Sequence, residues 1–475
     1  MDNFRHRPPL PGMLACVGEA EPKLHRHTGM FHDGYGGQLM QATSANASDI
    51  SPSSTAPPTP PSPPTPPAPL APLMKPALKR GWRDLNTVQF GMTPAHALTL
   101  GPMDTATGSF LDLLNGTRGL ELLREEGRRM ELPDGHVDTL VRRLASAGLL
   151  DDAKGGGPAG DTLRGKKEAL DRLRPDLASL SLTTSEPGEA ISRLTARRSL
   201  RVQVRGAGRV GALVASLLSA AGVGEVDVRD IGRVDPWDVT PGGLPAEAIG
   251  DRRDEAARRT ARHCAPDRPP RRTRHTRLGE ESTGHSLVII APRDDVAVHA
   301  PSPSATEPLI TSGTPHLYAG VVEATGMVGP LVLPGETPCA GCLHEGRTDR
   351  DPAWPRLVAQ WRSGTARTRD VRPCDLTLAT TVAGLTAAHA LTFLDGRLPS
   401  SAGARWEVSL PALTWHARPV WAHPACPCGA TEKGEGEHPS DEEESHETMA
   451  EHRPSKELRR KADAKRLAGT WRAHV

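Results

Sequence analysis

The sequence predicts an α/β protein with a doubly wound, mostly parallel, Rossmann-like sheet, a small winged-helix-like domain before it, and disordered termini. Strand-like and helix-like segments alternate from Arg201 to about Gly403, which predicts a sheet with helices on both faces. A strand, a glycine cluster and a helix follow one another at 201–218, as they do at the nucleotide site of such folds. The proline-rich and acidic ends lack the apolar residues that a core needs.

The composition limits the class of protein further. The 475 residues are enough for two or three domains. Lys and Arg number 58 against 57 for Asp and Glu, so the net charge of +1 gives no field that would attract nucleic acid or an acidic membrane. No apolar run reaches the roughly 20 residues of a spanning helix, and no secretory signal is visible. Seven unevenly spaced cysteines do not form a secreted disulfide framework, so we expect a cytoplasmic protein.

The first 152 residues divide into two parts. Residues 1–73 are predicted to be disordered, because SPSSTAPPTPPSPPTPPAPLAP favours polyproline II; this segment is a tether, a ligand for a proline-binding groove, or a spacer. Residues 74–152 are predicted to form the winged-helix-like domain. There, VQFGMTPAHALTL indicates two strands around a turn, and SFLDLLNGTRGLELLREE and VDTLVRRLASAGLL have helical spacing, the latter ending at Gly148. DNA binding is disfavoured, because the last helix offers only Arg142 and Arg143 to phosphates.

The rest of the chain is predicted to hold a connector, the α/β domain and a tail. Residues 153–194 are expected to form a linker, flexible at AKGGGPAGDTLR, and a leading helix at ISRLTARRS. The α/β domain is predicted over 195–430, and a polar tail with the acidic run DEEESHE over 431–475. The predicted elements of the α/β domain are RVQVR, GALVASLLSAAG, EVDVRD, RRDEAARRTARHC, SLVIIAP, HLYAGVVEA, PLVLP and TTVAGLTAAHALTFL.

The stretch RVQVRGAGRVGALVASLL predicts a nucleotide site. Gly206, Gly208 and Gly211 have the G-x-G-x-x-G spacing, which lets the backbone turn sharply and approach a phosphate at a helix N-terminus. Asp230 ends the next predicted strand, where a carboxylate can accept hydrogen bonds from ribose hydroxyls. The pattern does not separate a dinucleotide from ATP, and glycines kept for helix–strand packing alone would look the same.

Four cysteines predict a metal site. Cys339 and Cys342 form C-A-G-C, and Cys426 and Cys428 form C-P-C. Two close pairs of thiolates that folding brings together suit a tetrahedral Zn²⁺. A closed site of four cysteines leaves no position open for a substrate, so the predicted role is structural: it would pin the C-terminal segment to the core. Reduced thiols, or a disulfide within one pair, are the alternatives.

These residues, in this order, resemble those of ThiF/MoeB-type adenylyltransferases, which are relatives of the ubiquitin-activating enzymes. The resemblance covers roughly 195–430, and GMVGPLVLPGETPCAGC is its most specific part. It also includes DIGRVDPWDV and AIGDRRDEA, which follow the second predicted strand. The resemblance implies a homodimer that uses ATP and Mg²⁺ to transfer AMP to the C-terminal carboxylate of a peptide or small protein.

The chain departs from this family at charged positions. The N-L-x-R-Q stretch of the family, whose arginine reaches the phosphates, corresponds to VTPGGLP, which has no arginine. The family lysine corresponds to Arg253, or else to Arg252. The aspartate that helps hold Mg²⁺ falls near IIAPRDD, where Arg293 and Asp294 stand. The resemblance therefore implies Arg253 and Asp294 as catalytic residues, with fewer phosphate contacts than usual.

The resemblance supports two further predictions. LLNGTRGLELL and LASAGLL are similar to the PqqD-like peptide-recognition fold, which in fusions to ThiF-like domains implies binding of the leader of a ribosomally made precursor peptide. Cys374 in RPCDLTLATT falls where relatives carry a loop that sometimes holds a reactive cysteine. A helix N-terminus and Arg372 are expected to lower its pKa, although a structural thiol is the alternative.

The sequence thus predicts a ThiF-like adenylyltransferase that binds ATP and activates or presents a peptide carboxylate in ribosomal peptide modification. The alternative is a degenerate leader-binding partner of a cyclodehydratase-type enzyme. A nicotinamide or flavin oxidoreductase would share the glycine loop, but the four cysteines argue against it.

Overall fold

The computed structural model describes residues 69–267, 284–293, 295–364 and 373–431. Most of the two predicted disordered ends lies outside the described residues, and so do the predicted catalytic residue Asp294 and Arg372. The domain boundaries as a whole stay predictions.

The described chain begins with a small α/β module. Its first strand β1 (Pro72–Met74) pairs antiparallel with β5 (Leu150–Asp152), and the amides of Leu70 and Ala71 donate to the carboxylate of Asp152. Order therefore starts before residue 74, where the sequence predicts the disordered segment to end. The remaining elements of the module are β2 (Arg80–Trp82), β3 (Val88–Phe90), β4 (Leu98–Leu100), α1 (Thr105–Phe110), α2 (Leu120–Arg129) and α3 (His136–Ser146).

The strands β2, β3 and β4 form an antiparallel sheet in that order, so the predicted strand–turn–strand at 88–100 is confirmed. The helices are confirmed as well, although the first predicted one is split between α1 and α2. Gly148, with φ +69°, follows α3 as expected of a helix terminator. Winged-helix topology as such stays a prediction. The core of the module includes Val88, Phe90, Phe110, Leu111, Leu114, Leu123, Leu144, Leu149 and Leu150.

The predicted flexible linker at 153–164 is wrong, because this segment is largely helical. The helices are α4 (Gly157–Arg164), α5 (Lys167–Thr183) and α6 (Glu189–Arg197), of which only α6 follows from the sequence analysis. Gly156, with φ +84°, turns the chain into α4, and a proline occupies its first turn, where no amide partner is lost. These helices bury one apolar cluster made of Leu163, Leu173, Leu180, Ala190, Ile191 and Leu194.

The large sheet has seven strands in the order β12-β11-β10-β9-β8-β6-β7. The four strands β7, β6, β8 and β9 run parallel to their neighbours in this part of the sheet. The pairs β9–β10, β10–β11 and β11–β12 are antiparallel. The sheet is therefore mixed, whereas the sequence predicts a mostly parallel one. The strands are β6 (Arg201–Arg205), β7 (Glu225–Arg229), β8 (Leu287–Ile290), β9 (His316–Val322), β10 (Thr325–Val332), β11 (Ala404–Ser409) and β12 (Trp415–Pro419).

Helices α7, α8 and α13 cover one face of this sheet and build the main core against its parallel strands. Among the described residues, α13 (Leu376–Leu394) is the one helix that is long and apolar enough to cross a membrane. Its buried side chains pack on α7, β9 and β10. The helices of this domain are α7 (Arg209–Ala220), α8 (Arg253–Cys264), α9 (Asp295–His299), α10 (Pro303–Thr311), α11 (Ala340–Arg350), α12 (Trp354–Gly364) and α13 (Leu376–Leu394).

A buried ion pair ties α6 to the end of α13. Arg197 donates from Nε and Nη2 to the two carboxylate oxygens of Asp395 at 2.8 and 2.7 Å. The two side chains are only 5% and 7% exposed. This bidentate contact fixes the connector helices against the main core.

We predict that Asp395→Asn lowers the free energy of unfolding by about 3–5 kcal/mol, because it leaves the buried positive charge of Arg197 without a negative partner. Urea unfolding followed by circular dichroism measures the change. Asp171→Asn is the matched control, since its ion pair with Arg174 is exposed and should contribute less than about 1 kcal/mol. Equal effects of the two substitutions would contradict this account.

Candidate functional site

The glycine loop has the predicted strand–turn–helix geometry. It connects β6 to α7, and Gly206 adopts φ +106°. A Cβ at Gly206 would lie 1.9 Å from the carbonyl oxygen of Ala291, and one at Gly211 would lie 2.0 Å from the oxygen of Gly206. Both positions therefore exclude any side chain, because the backbones of β6, α7 and the end of β8 approach so closely.

Asp230 lies beside this loop, as predicted. Its Oδ2 accepts a 2.5 Å hydrogen bond from the amide of Ala207, and its Oδ1 accepts one of 2.7 Å from Nη1 of Arg253. The carboxylate that the sequence assigns to a ribose is thus bonded to the protein at both oxygens.

Arg253 is the residue that the structure brings to Asp230, whereas Arg252 points to the surface and pairs with acids of α8. The side chain of Arg253 is 6% exposed. Its Nη2 donates to the carbonyl of Arg233 at 2.5 Å, and its Nε lies 3.2 Å from Oδ2 of Asp238. A cation is therefore held next to the glycine loop, surrounded by carboxylates and carbonyls.

Arg293 covers the middle of the loop. Its Cγ lies 2.8 Å from the position of a Cβ on Gly208, so its side chain extends over that glycine. Its Nη2 lies 2.9 Å from carboxylate oxygens of both Asp235 and Asp238. In the sequence these two aspartates stand out only as part of the motif DIGRVDPWDV. Their pairing with Arg293 needs the three-dimensional contact of β8 with β6, which the sequence does not show.

The charges of this site fit a nucleotide, but its arginines and Asp230 are already bonded to groups of the protein. Two arginines and the loop amides could face phosphates, and Asp230 could face a ribose. To do so, Arg253 and Arg293 would have to exchange their aspartate partners for phosphate oxygens. ATP would supply an adenylyl group and release pyrophosphate. Binding of Mg²⁺ stays a prediction, because it depends on Asp294, which lies outside the described residues.

Cys374 lies near the glycine loop, but its thiol is not activated. Arg209, the first residue of α7, donates from Nη1 to the carbonyl of Cys374 at 2.7 Å. Burial raises the pKa of the Cys374 thiol to about 11, and Arg209 opposes this only in part. The expected lowering of this pKa is therefore wrong, because the apolar core against which Cys374 packs outweighs nearby positive charge. A catalytic role for Cys374 stays a prediction without that support.

The four predicted metal ligands come together. The sulfurs of Cys339, Cys342, Cys426 and Cys428 all lie within 4.8 Å of one another. Two pairs, Cys339–Cys426 and Cys342–Cys428, are 3.5 Å apart. Ligands about 2.3 Å from a tetrahedral Zn²⁺ are separated by about 3.8 Å, so the cluster fits that ion.

The local backbone shows why the first cysteine pair contains a glycine. A Cβ at Gly341 would lie 2.7 Å from the sulfur of Cys426, and the amide of Gly341 donates to the sulfur of Cys339 at 3.2 Å. Hydrogen bonds with Cys342 and Cys428, together with burial, raise the pKa of Cys339, and burial raises that of Cys426 to about 12. A bound cation would instead favour the thiolates, so metal binding would release protons.

Comparison with known proteins places these features in a family. The ThiF family matches residues 186–430, which is more than half of the chain. The chain belongs to the ThiF family. Its glycine loop, Asp230, Arg253 and all four cysteines lie within the ThiF region. No curated protein matches the chain by sequence.

Solved structures share the fold at low sequence identity. A crystal structure of E. coli MccB with succinimide has a TM-score of 0.55 and 14% identity, over 76% of this chain and 99% of MccB. The microcin C7 biosynthetic enzyme MccB with N-formylated MccA gives 0.53 and 13%, over 76% and 100%. The heterocyclase TruD gives 0.49 and 18%, over 77% of this chain and 43% of TruD. At these identities the likeness to MccB shows the fold alone. The likeness covers 76% of this chain, whereas residues 186–430 make up only about half of it, so the shared fold extends beyond the ThiF region.

We predict that the purified chain contains about one zinc and that Cys426→Ser removes most of it, because three thiolates and a hydroxyl hold Zn²⁺ far less tightly. Inductively coupled plasma mass spectrometry measures the metal. Cys264→Ser is the control, since Cys264 lies at the end of α8 outside the cluster, and this variant should keep its zinc. Metal-free wild-type protein, or equal loss in both variants, would contradict the zinc site.

We predict that alkylation of Cys374 by iodoacetamide is slow at pH 7 and rises about tenfold per pH unit up to pH 9, because the folded thiol has a pKa of about 11. Peptide mapping by mass spectrometry measures the rate. The same thiol in urea serves as control and should level off near the ordinary cysteine pKa of about 8.5. A plateau below pH 8 in the folded chain would instead support a reactive cysteine.

Proposed function

We propose that this chain is an ATP-dependent, ThiF-type adenylyltransferase that acts on the C-terminal carboxylate of a ribosomally made peptide. The observation that carries the proposal is the strand–glycine–helix loop with Asp230 and two arginines beside it. Those residues would bind ribose and phosphates in place of their present partners. The likeness to MccB, which has been crystallised with ATP and with MccA, supports a peptide substrate.

The N-terminal module supplies the surface for that peptide. Strand β4 ends the three-stranded sheet, so one of its edges has no partner strand among the described residues. Leu98 on β4 is 42% exposed. A bound peptide would add a strand along β4, with backbone hydrogen bonds supplying affinity. Large apolar side chains exposed on the module, which are frequent at binding surfaces, include Trp82, Leu85, Met92, Leu98 and Leu122.

A second function is favoured by a different observation. Arg253 already neutralises Asp230, and Arg293 already covers Gly208. If these contacts do not open, the ThiF domain would serve as a docking scaffold that presents the precursor peptide to a cyclodehydratase-type enzyme without adenylating it. In both functions the four thiolates need a reducing compartment, and we propose the cytoplasm.

Pyrophosphate exchange tests the first function. Candidate substrates are peptides encoded in reading frames that flank the gene of this chain, each with a free or an amidated C-terminus. We expect exchange into ATP only with the free carboxylate, and a loss of about 100-fold or more in Asp230→Asn, because a neutral amide accepts hydrogen bonds from the ribose hydroxyls more weakly than a carboxylate does. Asp251→Asn is the matched control, since Asp251 forms an exposed ion pair with Arg259.

Isothermal titration calorimetry on the same samples separates the two functions. Binding heat on titration of both ATP and peptide supports adenylation, whereas binding of the peptide without binding of ATP supports the docking scaffold. Absence of binding for both ligands rejects both proposals.

A further inference from the structure

A cavity of about 230 Å³ lies at the beginning of β4, between the N-terminal module and the connector helix α5. It lies between the turn that precedes β4, the end of α3 and the end of α5. This volume is below the roughly 300–1,000 Å³ of small-molecule sites, and it is large enough for one amino-acid side chain. Its lining includes Lys75, Ala95, Leu98, Gly148 and Thr184.

Lys75 is the charged residue that distinguishes this cavity. It follows β1 directly, and it is 3% exposed. Its Nζ donates one hydrogen bond, of 2.7 Å, to the carbonyl oxygen of Thr184, the residue after α5. An ammonium has three N–H donors, so two of them have no acceptor among the described residues.

The acids nearest to Lys75 are engaged elsewhere. Asp151 accepts from the amides of Asp152 and Gly188, and Glu189 accepts from Arg193. Asp151 and Glu189 raise the pKa of Lys75 only by acting at a distance, and burial, which lowers it, is the larger effect. The cavity therefore holds a buried cation that is short of acceptors.

A C-terminal capping role for Lys75 accounts for only part of this arrangement. The bond to Thr184 satisfies one carbonyl at the end of α5, which a lysine near a helix C-terminus commonly does. Capping does not require burial, since an exposed lysine could make the same bond and keep its other two donors in water. The burial of the ammonium at a cavity wall requires a second explanation.

The geometry points to an acid-binding subsite: the cavity takes the carboxylate of one Asp or Glu side chain of the docked peptide, which bonds to Lys75. This inference rests on the proposed docking of a peptide along β4. Leu98 connects the two, because it is the first residue of β4 and also lines the cavity. A strand added to β4 would therefore pass the cavity and place one side chain into it.

Charge complementarity selects the occupant. A carboxylate would accept hydrogen bonds from both remaining N–H groups and neutralise the buried ammonium. An apolar side chain would leave those donors unsatisfied, and a neutral amide or hydroxyl could accept from them but would leave the charge uncompensated. A basic side chain would be repelled. The subsite thus requires an acid at one fixed position of the docked peptide. The neighbouring residues of the peptide would bind the open edge of β4 through their backbone.

Selection from a displayed library of random ten-residue peptides tests this inference with the full chain as bait. In the wild type we expect enriched peptides to share Asp or Glu at one position. In Lys75→Gln that preference should disappear while the rest of the pattern remains. Lys79→Gln, which changes an exposed lysine of the same module, should keep the preference.

Fluorescence anisotropy with one enriched synthetic peptide gives the magnitude. Changing its acid to the amide should weaken binding to the wild type roughly 10- to 100-fold, as expected for a hydrogen bond between charged groups, and to Lys75→Gln less than about twofold. Lys75→Met serves if the glutamine variant does not fold, and the acid-to-amide comparison on wild type needs no variant. Enriched peptides without a fixed acid, or an equal loss in wild type and variant, overturn the subsite alone. Absence of any enriched peptide overturns the proposed docking on β4, and the subsite with it.

Discussion

The carboxylate of Asp230 is the contact on which the arrangement of the glycine loop depends. It lies between an amide of the loop and the guanidinium of Arg253, so it connects the end of β7 to the start of α7 and the start of α8. Both partners donate hydrogen bonds to this carboxylate, one from a backbone amide and one from a guanidinium. The loop, the two helices and the arginine therefore have one consistent arrangement, and the charge of Asp230 determines it.

At the proposed nucleotide site, the phosphates of a ligand would have to replace carboxylates that are already bound to the arginines. Asp230, Asp235 and Asp238 already pair with the two arginines that phosphates would need. An anionic ligand must compete with carboxylates that are already in place, so its net affinity is the difference between two favourable sets of contacts. The missing arginine of VTPGGLP removes one contact from the ligand's side of that difference.

The sequence specified those parts of the site in which residue type alone carries the constraint. Gly206 and Gly211 follow from a turn that excludes side chains, and the four cysteines follow from the chemistry of a thiolate-bound ion. The ion pair between Arg293 and Asp238 joins residues 55 positions apart, so it could not be read before the order of strands was known. Cys374 shows the same limit, since its burial against the core decides its pKa. The hairpin of β9 and β10 was missed because its two turn residues, Glu323 and Ala324, have positive φ values of 47° and 56° without the usual Asn-Gly signature. The connector was misread because AKGGGPAGD looks flexible, although Gly156 only turns the chain into a helix.

The helical connector has a consequence for any bound peptide. Helices α4 to α6 are packed on one another, and the Arg197–Asp395 pair holds the last of them against the main core. The distance between the proposed acid-binding subsite and the glycine loop is therefore fixed by packed helices and not left open by a flexible linker. A bound peptide would have to span that distance with its own residues. The protein would therefore select substrates by the number of residues between the recognised acid and the reacting C-terminus.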